Sequence, residues 1–254
     1  MERKIGIIGT GNVAWHLIRL FAEAGHPISF IGGRLKTKAA LLAEEAGITA
    51  FDTIENIPAD ITHLILAVND DAIEELSSKF SAKITLIHTS GSASIEALKS
   101  SNKGVIWTIQ TLKKNQPTSY KNIPIILEFT DDTDAAWFEQ LFKKVSPLIY
   151  KRNSEERMRA HLAAVVTNNF VNHLYAFSED LMQSSHLPFS LLFPIIEEET
   201  KKIKQYSPSE IQTGPAARGD QKTIDKHLHM LQNSPEYKEL YALMSALIQK
   251  KKND

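Results

Sequence analysis

The amino-acid sequence predicts an α/β protein in two domains: a doubly wound, mostly parallel sheet over residues 1–151, and an all-helical domain over residues 152–254. Three observations support this prediction. An apolar segment at residues 5–8 runs into a glycine-rich turn and then into an amphipathic helix. Short apolar runs then alternate with helical patterns, as in a parallel sheet with helices on both faces. Beyond residue 151, apolar residues recur every three or four positions.

The glycine-rich turn, Gly9-Thr10-Gly11-Asn12-Val13-Ala14, is the strongest functional signal. Gly9 permits a tight turn after the strand, Gly11 lets a pyrophosphate approach the backbone, and Ala14 allows the helix to pack closely on the strand. The free N–H groups and the positive dipole end of the helix then face the phosphates. We interpret residues 9–13 as the dinucleotide-binding turn of a Rossmann-like domain. The alternative is a turn with an architectural function alone.

The residues after the second strand, predicted at 28–31, favour NADP over NAD. Folds selective for NAD usually place an acidic residue here, which accepts hydrogen bonds from the ribose 2′-OH. This sequence has Arg34, Lys36 and Lys38 instead. A guanidinium holds a phosphate through paired hydrogen bonds, so we predict that Arg34 binds the 2′-phosphate of NADP. The alternative is that these cations are solvated charges at the start of the next helix.

The remaining elements are predicted from hydrophobic periodicity and from helix start and stop signals. Further strands are predicted at 48–51, 62–68, 83–88, 105–110, 123–129 and 147–150. Helices are predicted at 37–46, 71–79, 93–101 and 133–144, with a polar loop at 113–122. The second domain is predicted to contain helices at 154–185, 188–206, 221–231 and 235–250, and a loop at 213–220.

Four site candidates, Gly9, Arg34, Asn69 and His88, each fall at the carboxyl end of a predicted strand. Ligands of doubly wound sheets bind beyond the carboxyl ends of the strands, so we expect these residues to line one site. Asn69 is interpreted as a residue that orients the nicotinamide ribose. Ser90 is interpreted as a hydroxyl group that contacts the nicotinamide or the substrate.

Hydride transfer also needs a group that protonates the substrate carbonyl or imine. His88 is the first candidate, because imidazole titrates near neutral pH; the alternative is a histidine that caps the strand or holds the next loop by hydrogen bonds. Asn168 and Asn169 interrupt an apolar helical face, which predicts a buried amide bound to substrate or to backbone. Arg218 suits a substrate carboxylate or phosphate, unless it forms an ion pair, with Asp220 or across the domains, that fixes the loop.

Composition and motifs exclude several classes of protein. The formal net charge is −1, from 29 basic and 30 acidic residues, so the sequence has no excess of positive charge that would indicate binding to nucleic acid or to a membrane surface. The absence of cysteine excludes disulfides and thiolate sites. Asp225 and His229 share a helix face but are too few ligands for a metal, and Ser90 lacks the Gly-x-Ser-x-Gly elbow of a hydrolase. Neither a long apolar run nor a signal peptide at Met1–Lys4 is recognised, so we expect a cytoplasmic protein.

Five segments carry a resemblance to a known group of proteins. They are Gly9–Ala14, His88–Gly91, Gln110-Thr111, Asn168–Phe170 and Thr213–Asp220. The sequence resembles the Rossmann-like NADP-dependent oxidoreductases that end in a helical domain of unknown function, distant relatives of pyrroline-5-carboxylate reductase and the β-hydroxyacid dehydrogenases. The resemblance implies NADP as the cofactor and a homodimer formed through the helical domain.

The sequence departs from these relatives at two points. Trp107-Thr108 stands where the group commonly has His-Pro, and Ala164 and Val165 stand where the β-hydroxyacid dehydrogenases have a catalytic lysine. The nearest titratable group is His161, interpreted as a packing or surface residue. We therefore expect an NADP-dependent oxidoreductase acting on a small polar carbonyl or imine held between the domains. The alternatives are an NADP-binding sensor without turnover and a scaffold with an empty dinucleotide fold.

Overall fold

The computed structural model describes residues 3–80, 83–116 and 118–253, and the chain divides into two compact units, residues 1–167 and 168–254. Met1 and Glu2, part of the segment in which no signal peptide is recognised, lie outside the described residues, and so does Pro117 of the predicted polar loop. The second unit begins later than the predicted boundary at residue 151, because the helix that follows this boundary packs in the first unit.

Eight strands among the described residues form one sheet in the first unit, as the sequence predicted. They are β1 (Ile5–Ile8), β2 (Phe30–Gly33), β3 (Phe51–Thr53), β4 (His63–Leu66), β5 (Thr85–His88), β6 (Lys103–Thr108), β7 (Ile125–Phe129) and β8 (Ile149–Lys151). The strand order is β3-β2-β1-β4-β5-β6-β7-β8, and all neighbours are parallel except the antiparallel pair β6 and β7. The direction of strand addition reverses between β1 and β4, which is where doubly wound sheets bind ligands.

Helices cover both faces of this sheet. They are α1 (Asn12–Glu23), α2 (Lys36–Ala46), α3 (Ile73–Ser77), α4 (Asp132–Phe142) and α5 (Ser154–Ala164). Side chains alternate between the two faces of a strand, and each face has its own apolar core. One core contains Ile7 and Ile65 with Phe21 of α1 and Phe138 of α4, and the other contains Ile8, Leu64 and Leu86 with Ile73 of α3.

Two predicted helices of the first unit are wrong in length. The helix predicted at 93–101 is only a 3₁₀ turn at Ile95–Ala97, and the helix predicted at 71–79 is a 3₁₀ turn followed by the short α3. A serine hydroxyl explains where the first of these helices stops, because it bonds a backbone N–H group that a longer helix would use. Ser77 Oγ accepts from the N–H of Lys99 at 3.1 Å, and Leu98 is extended.

The second unit is helical, as predicted. It contains α6 (Val171–Ser184), α7 (Phe193–Lys202), α8 (Pro215–Arg218), α9 (Gln221–Met230) and α10 (Pro235–Asn253). A π-helical turn at Val165–Phe170 interrupts the long helix predicted at 154–185, and the loop predicted at 213–220 includes α8. No helix in the described part of the chain combines the length and apolar character needed to span a membrane.

Candidate functional site

A cavity of about 520 Å³ opens at the carboxyl ends of β1, β2 and β4. Five of the predicted cofactor-binding residues line it, namely Gly9, Thr10, Gly11, Arg34 and Asn69. The structure therefore brings together at one edge of the sheet residues that are up to sixty positions apart in the sequence. Their contact with a cofactor stays a prediction, but their placement agrees with the expectation that the strand ends form one site.

Gly9 is required by the geometry of the turn. Its φ angle is +130°, a region that side chains rarely allow, and a Cβ at this position would clash with the carbonyl oxygen of Ala67. The neighbouring strands approach closely here: Gly9 N–H donates to the Gly32 carbonyl at 2.9 Å, and Ala67 N–H donates to the Ile8 carbonyl at 2.8 Å. Gly9 thus lets the chain turn directly at the point where the strand order reverses.

The start of α1 leaves room for an anion. Gly11 is the N-cap residue, no side chain caps the helix, and no acidic residue occupies its first turn. No described atom outside the adjacent residues lies within 4 Å of the position that a Cβ on Gly11 would occupy. Because the first N–H groups of a helix lack partners within the helix, this open N-terminus fits a pyrophosphate.

Asn12 and Val13 attach the glycine turn to the rest of the first unit. The Oδ1 atom of Asn12 accepts a hydrogen bond from the N–H of Lys114 at 3.0 Å, which attaches the loop after β6 to the start of α1. Val13 is half-buried against the apolar core. The structure thus gives the Asn12 carboxamide a loop contact, while its predicted part in cofactor binding stays a prediction.

The cations after β2 differ in their surroundings. Arg34 is exposed and lines the cavity. Lys36 Nζ lies 3.0 Å from Oδ2 of Asp52, an exposed ion pair, and Lys38 does not line the cavity. The Thr53 N–H and, after it, Lys36 hold the pKa of the Asp52 carboxyl below its ordinary value. Arg34 is therefore the cation of this group that is placed for a ligand phosphate.

The loop after β5 is tied to the loop after β4 through Asp70. Ser90 Oγ donates to Asp70 Oδ2 at 2.7 Å, and Ser92 Oγ donates to the same oxygen at 2.5 Å. Ser90 is itself buried. Its hydroxyl therefore joins the two strand ends in this structure, and its predicted contact with the cofactor stays a prediction.

His88 is completely buried at the end of β5. Burial, followed by the nearby charge of Arg157, lowers its pKa to about 4, so the ring is neutral at pH 7. Its Nδ1 accepts from the N–H of Ser90 at 3.1 Å, and Nε2 has no hydrogen-bond partner among the described residues. This geometry favours the alternative in which His88 holds the loop. Proton donation by His88 stays a prediction and would require the ring to become accessible.

Sequence reasoning missed Arg157 of α5. This residue is fully buried, and it donates from NH1 to the Ser90 carbonyl at 2.8 Å and from NH2 to Glu128 Oε2 at 2.9 Å. The Asn153 and Glu156 side chains form a capping box that starts α5, which is a readable signal for the helix. No local pattern, however, marks Arg157 as the residue that is buried under the loop.

The remaining predicted residues lie in the second unit. Asn168 and Asn169 are exposed on the π-helical turn, so the prediction that they are buried is wrong; Asn168 Nδ2 donates to Asn169 Oδ1 at 3.5 Å. Arg218 ends α8 and lines a separate cavity of about 530 Å³ with Thr213, Gly214, Met244 and other residues. Asp220 caps α9 by accepting from Thr223, and within the described residues it forms no ion pair with Arg218. The functions of Asn168 and Arg218 stay predictions.

Within the described ranges, no group of three or more histidine, aspartate or glutamate side chains is arranged to hold a metal ion. His227, which lies near the helix face considered for a metal, has its Nδ1 at 2.7 Å from the hydroxyl of Tyr241.

Comparisons with known proteins agree with this architecture. Residues 4–90 match a family described as NADP oxidoreductase, coenzyme F420-dependent, and residues 123–248 match a domain of unknown function, DUF2520. A protein from Bacteroides fragilis assigned as an NADP oxidoreductase is 30% identical over 98% of each chain, with a TM-score of 0.85. A comparison with curated proteins gives no match.

Two further solved structures share the fold at lower identity. A pyrroline-5-carboxylate reductase from Coxiella burnetii is 16% identical, with a TM-score of 0.55 over 99% of this chain and 97% of that one. A reductive aminase from Aspergillus terreus, in complex with NADPH and ethyl-5-oxohexanoate, is 14% identical, with a TM-score of 0.68 over 98% of this chain and 93% of that one.

Proposed function

The chain belongs to the family of NADP oxidoreductases that carry a C-terminal domain of unknown function, and we propose that it transfers a hydride between NADP(H) and a small polar carbonyl or imine compound. The observation that carries this proposal is the cavity in which the glycine turn, the open N-terminus of α1 and Arg34 meet. Each of these features suits one part of the cofactor.

The residues present fit a dinucleotide with a 2′-phosphate. Gly9 and Gly11 leave the backbone N–H groups at the start of α1 accessible to the pyrophosphate. Arg34 lies at the end of β2, where the adenosine ribose binds in this fold, and its guanidinium forms paired hydrogen bonds with a phosphate. Glu75 also lines the cavity, but it forms an ion pair with Lys79 at 3.2 Å, which reduces its repulsion of a bound phosphate.

The class of substrate follows from the chemistry of the cofactor. A nicotinamide exchanges a hydride with an electron-poor carbon, of which a carbonyl or imine carbon is the usual case. The reductive aminase with this fold was solved in complex with NADPH and a keto ester, which supports a carbonyl compound or an imine derived from it. Arg218 is the predicted contact for a carboxylate or phosphate on the substrate.

Calorimetry with NADPH and NADH tests the cofactor assignment. We expect NADPH to bind more tightly than NADH, and Arg34→Ala to weaken NADPH binding about ten- to a hundredfold because a charged hydrogen bond contributes about 1.5–3 kcal/mol. The variant should leave NADH binding nearly unchanged. Lys38→Ala is the matched control, since it removes a cation that does not line the cavity. Equal loss in both variants contradicts the assignment of Arg34, and absence of binding by either nucleotide contradicts the proposed function.

Turnover is tested by following NADPH absorbance with a panel of small keto acids, aldehydes and cyclic imines. Oxidation of NADPH that depends on one of these compounds is the expected result. If the protein binds NADPH but oxidises it with none of these compounds, the oxidoreductase proposal fails. The alternative stated above, an NADP-binding sensor without turnover, would then hold.

A further inference from the structure

A second imidazole lies at the loop after β5. His161 belongs to α5, one helical turn after Arg157, and is half-buried. A Cβ added to Gly91 would lie 2.5 Å from Cδ2 of His161, so the ring packs directly over this glycine. The centre of the ring is 5.7 Å from that of Trp107, which is itself buried at the end of β6. The imidazole is thus held in place at the carboxyl edge of the sheet.

The loop under His161 is hydrogen-bonded to Asp70, the residue that follows Asn69 of the proposed cofactor cavity. Asn69 lines that cavity, and the next residue, Asp70, accepts the hydroxyl hydrogen bonds of Ser90 and Ser92 on either side of Gly91. The two halves of a dinucleotide lie on opposite sides of the point where the strand order reverses. If Arg34 binds the 2′-phosphate on the β2 side, as proposed above, the nicotinamide half would extend over β4 and β5, toward Gly91.

His161 differs from His88 in access. His88 is fully enclosed, whereas the His161 ring remains partly open to solvent. Among the described residues, none forms a hydrogen bond with either ring nitrogen of His161, whereas Nδ1 of His88 accepts one from the N–H of Ser90. A group that delivers a proton must come within hydrogen-bond distance of its acceptor, which a partly open ring allows and an enclosed ring does not.

The geometry points to His161 as the proton donor to the substrate, an inference that rests on the proposed oxidoreductase function. NADPH, when bound, would supply a hydride to the carbonyl or imine carbon. The π electron pair of the substrate double bond moves to its oxygen or nitrogen, which takes a proton from a ring nitrogen of His161. The N–H electron pair stays on the imidazole, which regains a proton from water. In the oxidative direction His161 accepts the proton instead.

Nuclear magnetic resonance of the histidine ring protons tests this placement without a substrate. The His161 signal is assigned with His161→Gln, and the full-length protein is titrated with NADP⁺ and with 2′-phospho-ADP-ribose, which lacks the nicotinamide. We expect NADP⁺ to move the His161 signal and 2′-phospho-ADP-ribose to leave it in place. If NADP⁺ binds by calorimetry but His161 does not respond, this inference fails while the cofactor assignment stands. If NADP⁺ does not bind, both fail.

Kinetics on a compound found in the panel separate proton donation from a structural contribution. We expect His161→Gln to lower kcat about a hundredfold or more, within the range for general acid catalysis, while the Kd for NADPH changes less than about twofold. Added imidazole should restore part of the rate. His173→Gln is the control, since His173 packs against Tyr237 in the second unit. An unchanged kcat in His161→Gln, or a loss explained by weaker NADPH binding, overturns the inference.

Discussion

The guanidinium of Arg157 donates to the backbone carbonyl of Ser90 at 2.8 Å, although the two residues are 67 positions apart. The same guanidinium binds Glu128 on β7, so one buried charge fixes α5 both to the loop after β5 and to β7, two strands away in the sheet. A buried charge is stable only if it is paired and hydrogen-bonded. Arg157 therefore positions the loop that carries Ser90 and Gly91 and the helix that carries His161.

Arg157→Ala should lower the free energy of unfolding by about 3–5 kcal/mol, because it removes the donor to the Ser90 carbonyl and leaves the half-enclosed Glu128 carboxylate with the Ser154 hydroxyl but without its buried cation. Urea denaturation followed by circular dichroism measures this change. Arg159→Ala is the matched control on the same helix: its ion pair with Glu155 is exposed, at 77% and 74% side-chain exposure, and should contribute less than about 1 kcal/mol. Equal stability of the two variants would show that Arg157 does not fix the loop.

The two glycines of the turn should respond differently to alanine. Gly9→Ala is expected to destabilise the fold by about 1–3 kcal/mol through its positive φ and its clash with Ala67. Gly11→Ala meets no neighbouring atom and should keep the melting temperature of the unmodified protein, yet weaken NADPH binding at least about tenfold by filling the approach to the pyrophosphate. Differential scanning fluorimetry and calorimetry separate these outcomes. Unchanged NADPH affinity in Gly11→Ala would place the phosphates elsewhere.

Much of this site was predictable because its signals are local. A strand, a glycine turn and a helix follow one another within twenty residues, and the positions of Arg34 and Asn69 follow from the rule that parallel strands end at one edge. The same reasoning gave the order of strands and helices in the first unit. Local patterns were sufficient wherever a residue's position is set by the element that carries it.

The remaining features depend on contacts between distant segments. The position of His161 over Gly91 and the burial of Arg157 arise when α5 packs against the loop after β5. The hydrophobic periodicity of the sequence does not predict this packing. The helix predicted at 93–101 is only a 3₁₀ turn because a serine hydroxyl takes the place of a helical hydrogen bond. The amino-acid composition of the segment does not tell which of these two hydrogen bonds forms. The exposure of Asn168 shows that an apolar stripe predicts a face to be covered but not what covers it.

His88 should make stability depend on pH. Its folded pKa of about 4, lowered by burial and by Arg157, lies below the ordinary value of 6.5, so the unfolded chain binds the proton more readily. The contribution of His88 to the free energy of unfolding is then fully present above pH 6.5. It decreases by about 3 kcal/mol as the pH is lowered from 6.5 toward about 4. Urea denaturation at several pH values measures the decrease.

In His88→Gln, this contribution to the pH dependence should disappear, while the contributions of the other histidines remain. The comparison uses the slope of unfolding free energy against pH, so a general loss of stability in the variant does not affect it. An identical slope in the variant and the unmodified protein would mean that His88 is not held neutral in the folded state.

The second unit exposes many large apolar side chains, which predicts that another surface covers them. They include Phe170, Leu181, Leu187, Leu191, Phe193, Ile195, Ile203, Leu243 and Leu247. A second copy of the chain is the occupant expected from the resemblance to oxidoreductases that pair through their helical domains, and a symmetric pair buries the same patch on both copies.

Light scattering on the purified protein should therefore give twice the chain mass of 28.5 kDa. Leu191 and Ile195 lie one helical turn apart and are 58% and 68% exposed, so Leu191→Glu with Ile195→Glu should place charges within the paired surface and shift the mass toward the single chain. Lys201→Glu, an exposed charge change on the same helix, should leave the mass unchanged. A mass of 28.5 kDa for the unmodified protein at micromolar concentration would contradict the homodimer. Because apolar residues buried between subunits stabilise both, the double variant should also unfold at a lower temperature than the Lys201 variant.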